Sequence, residues 1–79
     1  MIKVRIISPE AELFKGEVQA VFLPGALGEF EVLEGHAPII SSLGEGLIKL
    51  RRDGRVETIN ISSGFVRTGR SEMTVCVEL

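Results

Sequence analysis

The sequence predicts an all-β fold, a sandwich or a barrel of short strands. Apolar and polar residues alternate with a period of two, as at Ile2, Val4 and Ile6. That pattern turns one face of a strand to a core and the other to water. The nine glycines lie mostly between the apolar runs, where turns separate closely spaced strands. A length of 79 residues predicts one domain, residues 1–79.

In the first half of the chain, five strands are predicted. They cover residues 2–7, 12–15, 17–23, 29–33 and 38–42. Ser8 as a cap and Pro9 at a first helical position allow a helix of one or two turns, because Gly16 follows soon after. The third strand ends on apolar residues that face both ways, which suits a strand covered on both sides or one that meets a partner. Pro24-Gly25 then makes a tight turn.

In the second half, four strands are predicted. They cover residues 46–52, 55–61, 64–68 and 71–78. Asp53-Gly54 separates the first two and predicts a type I′ hairpin, since both central residues of that turn need positive φ. Ser63-Gly64 introduces the third, and alternation through Val75 and Val77 marks the last.

Composition argues against several classes of function. The net charge is −2, and a nucleic-acid partner would require a basic stripe and usually stacking aromatics, whereas four Phe are the only aromatic residues. One cysteine, Cys76, rules out an internal disulfide, and a single histidine gives no zinc spacing. No apolar run approaches the roughly 18 residues of a membrane span. We therefore expect no cofactor, no nucleic acid and membrane association only through a partner.

Catalysis is also not expected. A nucleophile needs a base within hydrogen-bond reach and a group that orients the base. His36 is the only imidazole, with Ser41 and Ser42 nearby in sequence, and the sole aspartate, Asp53, belongs to the hairpin turn. No Gly-Lys-Ser/Thr signature occurs, so a phosphate-binding loop is not predicted and we expect no bound nucleotide.

The stretch from residue 23 to residue 40 is the most informative. Glu29 and Glu31 would share one face of a strand, with Glu34 close behind. They form either a solvated acidic edge or an electrostatic contact with a basic loop of a partner. His36 at a turn either fixes the loop by hydrogen bonds to nearby backbone or contacts a partner directly.

This stretch resembles the epsilon subunit of F-type ATP synthase, called delta in mitochondria. The match lies in Gly28-Glu29-Phe30, Val32-Leu33 and Gly35-His36-Ala37-Pro38. Leu43-Gly44-Glu45-Gly46 and Ser63-Gly64-Phe65 also resemble family turns, and the likeness covers essentially the whole chain. Glu31 and Glu34 depart from it, because the family often has Gly and Pro there.

The resemblance implies a flattened two-sheet β-sandwich that serves as a non-catalytic central-stalk subunit. Such a domain binds the gamma subunit, rests on the c-ring and couples rotation and proton transport to ATP synthesis. The expected location is the cytoplasmic face of the bacterial inner membrane, peripherally, within the F1 sector. Positions that match ring-facing loops are Glu29, Phe30, Glu31 and His36, and Glu29 could pair with a ring arginine.

Two further expectations complete this interpretation. The family commonly adds a C-terminal helical hairpin that carries inhibition of ATP hydrolysis. The sequence stops at Leu79, directly after the last predicted strand, so this is either a naturally short member or a truncated chain. For residues 1–79 we expect no helical hairpin, and coupling without inhibition by that route. The alternatives are a free-standing ligand-binding β-sandwich or OB-like module, and a small hydrolase that uses His36 and a serine.

Overall fold

The computed structural model describes residues 1–79 and contains nine strands and no helix. The strands are β1 (Ile2–Ile7), β2 (Glu12–Val18), β3 (Ala20–Gly25), β4 (Gly28–Leu33), β5 (Ile39–Leu43), β6 (Gly46–Arg52), β7 (Arg55–Ile61), β8 (Ser63–Thr68) and β9 (Glu72–Glu78). The predicted all-β class is thereby confirmed.

The strands form two layers. One layer has the order β2-β1-β9-β8-β5, and the other has the order β4-β3-β6-β7. A single residue pair, Gly25 with Leu43, joins β3 to β5 and makes the whole a continuous, curled sheet. Every pairing is antiparallel except that of β1 with β9. The predicted sandwich of mostly antiparallel strands is confirmed.

The core lies between the two layers and follows from the alternation. Val4 of β1 and Val75 of β9 point inward from the five-stranded layer, and Val21 of β3 and Ile48 of β6 point inward from the other. All four are at most 2% exposed. Burying such a side chain contributes about 1.5–3 kcal/mol, so the core is the main source of stability in a chain without a disulfide.

Two local predictions were wrong. The second strand does not end at Lys15 with a break at Gly16 but continues to Val18, and the break falls at Gln19. Glycine is tolerated inside β2 because the ring of Phe14 covers that position, 3.4 Å from where a Cβ would lie. The short helix after Ser8 does not form either, because the Ser8 amide and hydroxyl close a loop onto Ala11 instead.

The β6–β7 hairpin turns as predicted. Asp53 has φ 52° and Gly54 has φ 76°, so both central residues occupy the left-handed region of a type I′ turn. The Asp53 amide donates to the side-chain oxygen of Gln19 at 3.1 Å. This bond ties the turn to the junction between β2 and β3.

Candidate docking surfaces

The β3–β4 tip, residues 25–29, is the most exposed apolar feature of the molecule. Leu27 stands at its apex with a relative exposure of 105%, the highest of any large hydrophobic side chain in the chain. Ala26 beside it is also exposed. An apolar side chain with no intramolecular contact surface is available to another molecule.

The tip is held rigidly to the neighbouring strand. The Ala26 amide donates to the Ser42 carbonyl at 3.1 Å, and the Gly44 amide donates to the Pro24 carbonyl at 2.8 Å. At Gly25 a Cβ would come within 2.6 Å of the Gly28 carbonyl oxygen. The turn is therefore tight and accepts only glycine there, which fixes the direction in which the apex points.

The acidic pair on β4 shares one face, as its spacing predicts. Glu29 and Glu31 are both exposed, while Phe30 between them points the other way and packs against the core. The Glu29 carboxylate lies 3.6 Å from the ammonium of Lys49, an exposed pair. Glu31 takes part in none of the salt bridges. Glu31 therefore carries the unpaired negative charge beside the tip, and Phe30 has a packing contact.

His36 does not lie with these residues. It follows the far end of β4, and the rise of about 3.3 Å per residue along a strand separates Glu29 from Leu33 by roughly 13 Å. The His36 ring nitrogen Nδ1 is hydrogen-bonded to the carbonyl of Ala37, and its amide donates to the Leu33 carbonyl at 3.2 Å. Both contacts are local, which is the geometry expected if His36 fixes its own loop.

A second open surface is a groove of about 1060 Å³ on the outer face of the five-stranded layer. Its lining carries four cationic and two acidic side chains: Lys3, Arg5, Lys15, Arg67, Glu17 and Glu72. Arg5 is paired with Glu12 outside this set at 2.8 Å, whereas Lys3, Lys15 and Arg67 have no ion pair. Glu17 and Glu72 have no ion pair either. Three unpaired cations and two unpaired carboxylates give the groove a small positive charge, in a chain whose net charge is −2.

The residues considered for hydrolysis are bonded elsewhere. Ser41 Oγ donates to the Ser42 carbonyl at 3.1 Å, and the His36 ring is bonded to Ala37. Cys76 is a half-buried free thiol on β9. No group of three His, Cys, Asp or Glu side chains is arranged to hold a metal ion, and no helix is long and apolar enough to cross a bilayer.

Two features of these surfaces, Leu27 and the groove, were not predicted from the sequence. Leu27 was not singled out, although an apolar residue between Pro24-Gly25 and Gly28 stands in a turn, where polar residues are the norm. The groove could not be predicted from the sequence, because its cations come from three separate strands, β1, β2 and β8.

The fold and these surfaces define a class of protein. It is a small β-sandwich domain whose candidate functional side chains lie on its outer surface. Residues 1–79 match the family described as ATP synthase, Delta/Epsilon chain, beta-sandwich domain. The chain belongs to this family.

Curated relatives agree with this assignment. The ATP synthase epsilon chain of Leptospira interrogans serogroup Icterohaemorrhagiae serovar copenhageni is 34% identical over 98% of this chain and 61% of its own length. The epsilon chain of Desulfitobacterium hafniense is 40% identical over 95% of this chain and 57% of its own length. The epsilon chain of Caulobacter vibrioides is 38% identical over 92% of this chain and 85% of its own length. The chain thus spans less than two thirds of the first two relatives.

Solved structures share the fold. A chain of the Euglena gracilis mitochondrial ATP synthase, OSCP/F1/c-ring in rotational state 1, superposes with a TM-score of 0.89 at 23% identity over 96% of this chain and 49% of that one. A chain of the Tetrahymena thermophila mitochondrial ATP synthase central stalk/c-ring superposes with a TM-score of 0.80 at 15% identity, over 99% of this chain and 63% of that one. At these identities the likeness concerns the fold alone.

Proposed function

We propose that this chain is a non-catalytic central-stalk subunit of a proton-translocating F-type ATP synthase that binds gamma and the c-ring. The observation that carries the proposal is a pair of separate open surfaces: the β3–β4 tip, which has Glu29 and Glu31 on the adjacent strand β4, and the groove, in which cations outnumber carboxylates. They lie at opposite ends of β5, since Ser42 bonds the tip whereas Ile39 and Ile40 line the groove. An adaptor between two larger bodies needs two such separate surfaces.

Each surface suits a different partner. The solved relatives come from assemblies described as F1/c-ring and central stalk/c-ring, which supports a ring and a stalk subunit as the two bodies. We assign the β3–β4 tip with Glu29 and Glu31 to the ring, as the resemblance implies. His36 was expected on a ring-facing loop as well, but it follows the opposite end of β4 and precedes Pro38 of the groove lining, so we propose that its loop faces gamma together with the groove. The domain would then sit on the F1 sector at the cytoplasmic face of the membrane, peripherally, and transmit torque without bond chemistry.

Charge alone does not hold such a subunit in place. Glu29 and Lys49 are both about half exposed, and an exposed ion pair contributes about 0.2–1 kcal/mol. If a ring cation takes Glu29, the pair with Lys49 is exchanged and the net gain is smaller still. Most of the binding free energy therefore has to come from apolar contact and shape.

Co-purification tests the proposal. We expect the chain to be retained by its cognate gamma subunit, and retained more strongly when the c-ring is present, because two surfaces then bind together. Adding the chain to a complex that lacks it should raise proton pumping per ATP hydrolysed. Retention by neither partner, or inhibition of hydrolysis without any change in coupling, would refute the proposal.

The groove favours a second candidate, a free-standing module that binds an anionic ligand. Its volume and its three unpaired cations suit a small carboxylate or phosphate compound. Calorimetry with inorganic phosphate and with citrate separates the two candidates. Tight binding by the isolated chain would favour the module, and its absence together with retention by gamma would favour the stalk subunit.

A further inference from the structure

We propose that Leu27 is the apolar anchor by which the β3–β4 tip docks onto the ring, inserting into an apolar socket with a cationic rim. This inference rests on the proposed function and adds the residue and the chemistry of its receptor. The surface is built from Leu27, the exposed Ala26 beside it and the carboxylates of Glu29 and Glu31.

The exposure of Leu27 sets it apart from the other apolar side chains on the surface. The next most exposed, Ile40, retains 77% of its area, and Val56 and Phe65 retain 56% and 49%. Those residues lie on sheet faces and rest partly on neighbouring side chains. The Leu27 side chain is fully exposed, so it contributes nothing to the packing of the domain itself.

The tip is also preorganised for binding. The hydrogen bonds from Ala26 to Ser42 and from Gly44 to Pro24 fix the turn before any partner arrives. The close approach of Gly25 to Gly28 and to the Phe30 ring removes the remaining freedom. A backbone turn that is already fixed loses little conformational entropy on docking, so the main entropic cost is the ordering of the Leu27 side chain alone.

Charge around the tip selects the kind of receptor. Glu29 and Glu31 stand on the adjacent face of β4, and Glu31 has no ion pair. These carboxylates repel an anionic lipid surface, into which an apolar tip without negative charge inserts more readily. They match a protein receptor whose apolar socket is bordered by Lys or Arg. The occupant is therefore protein, and under the proposed function it is the c-ring.

The test measures the affinity of the chain for purified c-ring, with and without gamma. Leu27→Asn replaces the side chain by a polar one of similar size that suits a turn, and full burial of Leu in a socket predicts a loss of at least tenfold in ring affinity. Leu27→Met keeps the apolar surface and should bind within threefold of the parent. Val56→Thr, an exposed apolar-to-polar change on β7, is the matched control and should not alter ring binding.

The outcomes separate the inference from the proposed function. Unchanged gamma affinity in Leu27→Asn, with equal thermal unfolding, shows that the variant is folded and that the loss concerns the ring. If Leu27→Asn binds the ring as tightly as the parent, the anchor is refuted and the stalk function stands. If the parent binds neither gamma nor ring, both are refuted. Leu27-dependent binding to vesicles of phosphatidylglycerol, with none to the ring, would overturn the choice of a protein receptor.

Discussion

At the scale of single residues, the β3–β4 tip depends on one position where no side chain fits. A Cβ at Gly25 would lie 2.6 Å from the Gly28 carbonyl oxygen and 2.8 Å from a carbon of the Phe30 ring. The carbonyl belongs to the backbone of the same turn and cannot move away without opening it. The phenyl ring is itself packed against the core. Gly25 is thus required by close approach of its neighbours.

We predict that Gly25→Ala lowers the free energy of unfolding by about 1–3 kcal/mol, since the added methyl group overpacks the turn. Urea denaturation monitored by circular dichroism measures this free energy of unfolding. Gly44→Ala is the matched control, because a Cβ at Gly44 meets nothing within 4 Å. That control should change stability by less than about 1 kcal/mol, and an equal loss in both variants would contradict the steric explanation.

At the scale of elements, the β6–β7 hairpin shows how far local chemistry determines structure. Its turn follows from two adjacent residues, Asp53 and Gly54, whose positive φ values match the twist of the flanking strands. The seven residues of β6 and the seven of β7 then pair in full register. A local signal is sufficient here because the pairing partners are adjacent in sequence.

Gly54→Ala should destabilise the protein by about 1 kcal/mol, because a Cβ is strained at φ 76°. Asp53→Asn should be nearly neutral, since asparagine adopts the left-handed region readily. Thermal unfolding of both variants checks this, and amide exchange in β6 and β7 localises the effect. A neutral Gly54→Ala would mean that the hairpin register does not depend on the turn.

Where partners are distant in sequence, prediction from the sequence is less complete. The period of two correctly placed Glu29 and Glu31 on one face, because alternation is a property of the strand itself. The pairing of Glu29 with Lys49 depends on which strands lie side by side, and so does the distance of His36 from the tip. Gly16 predicts a break because glycine usually weakens a strand, and only the position of the Phe14 ring shows why β2 continues through it.

At the scale of the whole molecule, charge is distributed unevenly. Three cations without ion pairs line the groove, while carboxylates lie beside the tip at the other end of β5. The net charge of −2 is therefore the sum over a surface with an excess of cations, the groove, and a surface with an excess of carboxylates, beside the tip. Such a distribution orients the domain during encounter, because each surface attracts a partner of complementary charge.

We expect Arg67→Glu to slow association with gamma at least fivefold in low salt, because it reverses the charge of one unpaired groove cation. The difference from the parent should shrink as ionic strength rises, since exposed charges are screened within about 10 Å at 0.1 M salt. Surface plasmon resonance at several salt concentrations measures the association rate and its dependence on ionic strength. Arg55→Glu, an exposed change on the hairpin away from the groove, should leave the rate within twofold, and an equal effect would contradict a specific role for the groove.

The parallel pairing of β1 with β9 has a consequence for biosynthesis. β9 lies between β1 and β8 in the middle of its layer, and its backbone pairs with that of β1 from Lys3 to Ile7. Until residues 72–76 have been synthesised, that edge of β1 has no hydrogen-bond partner, although the strands of the opposite layer are already present. The five-stranded layer is therefore complete only after this point in translation, and until then the open edge of β1 is a place where a strand of another chain can pair.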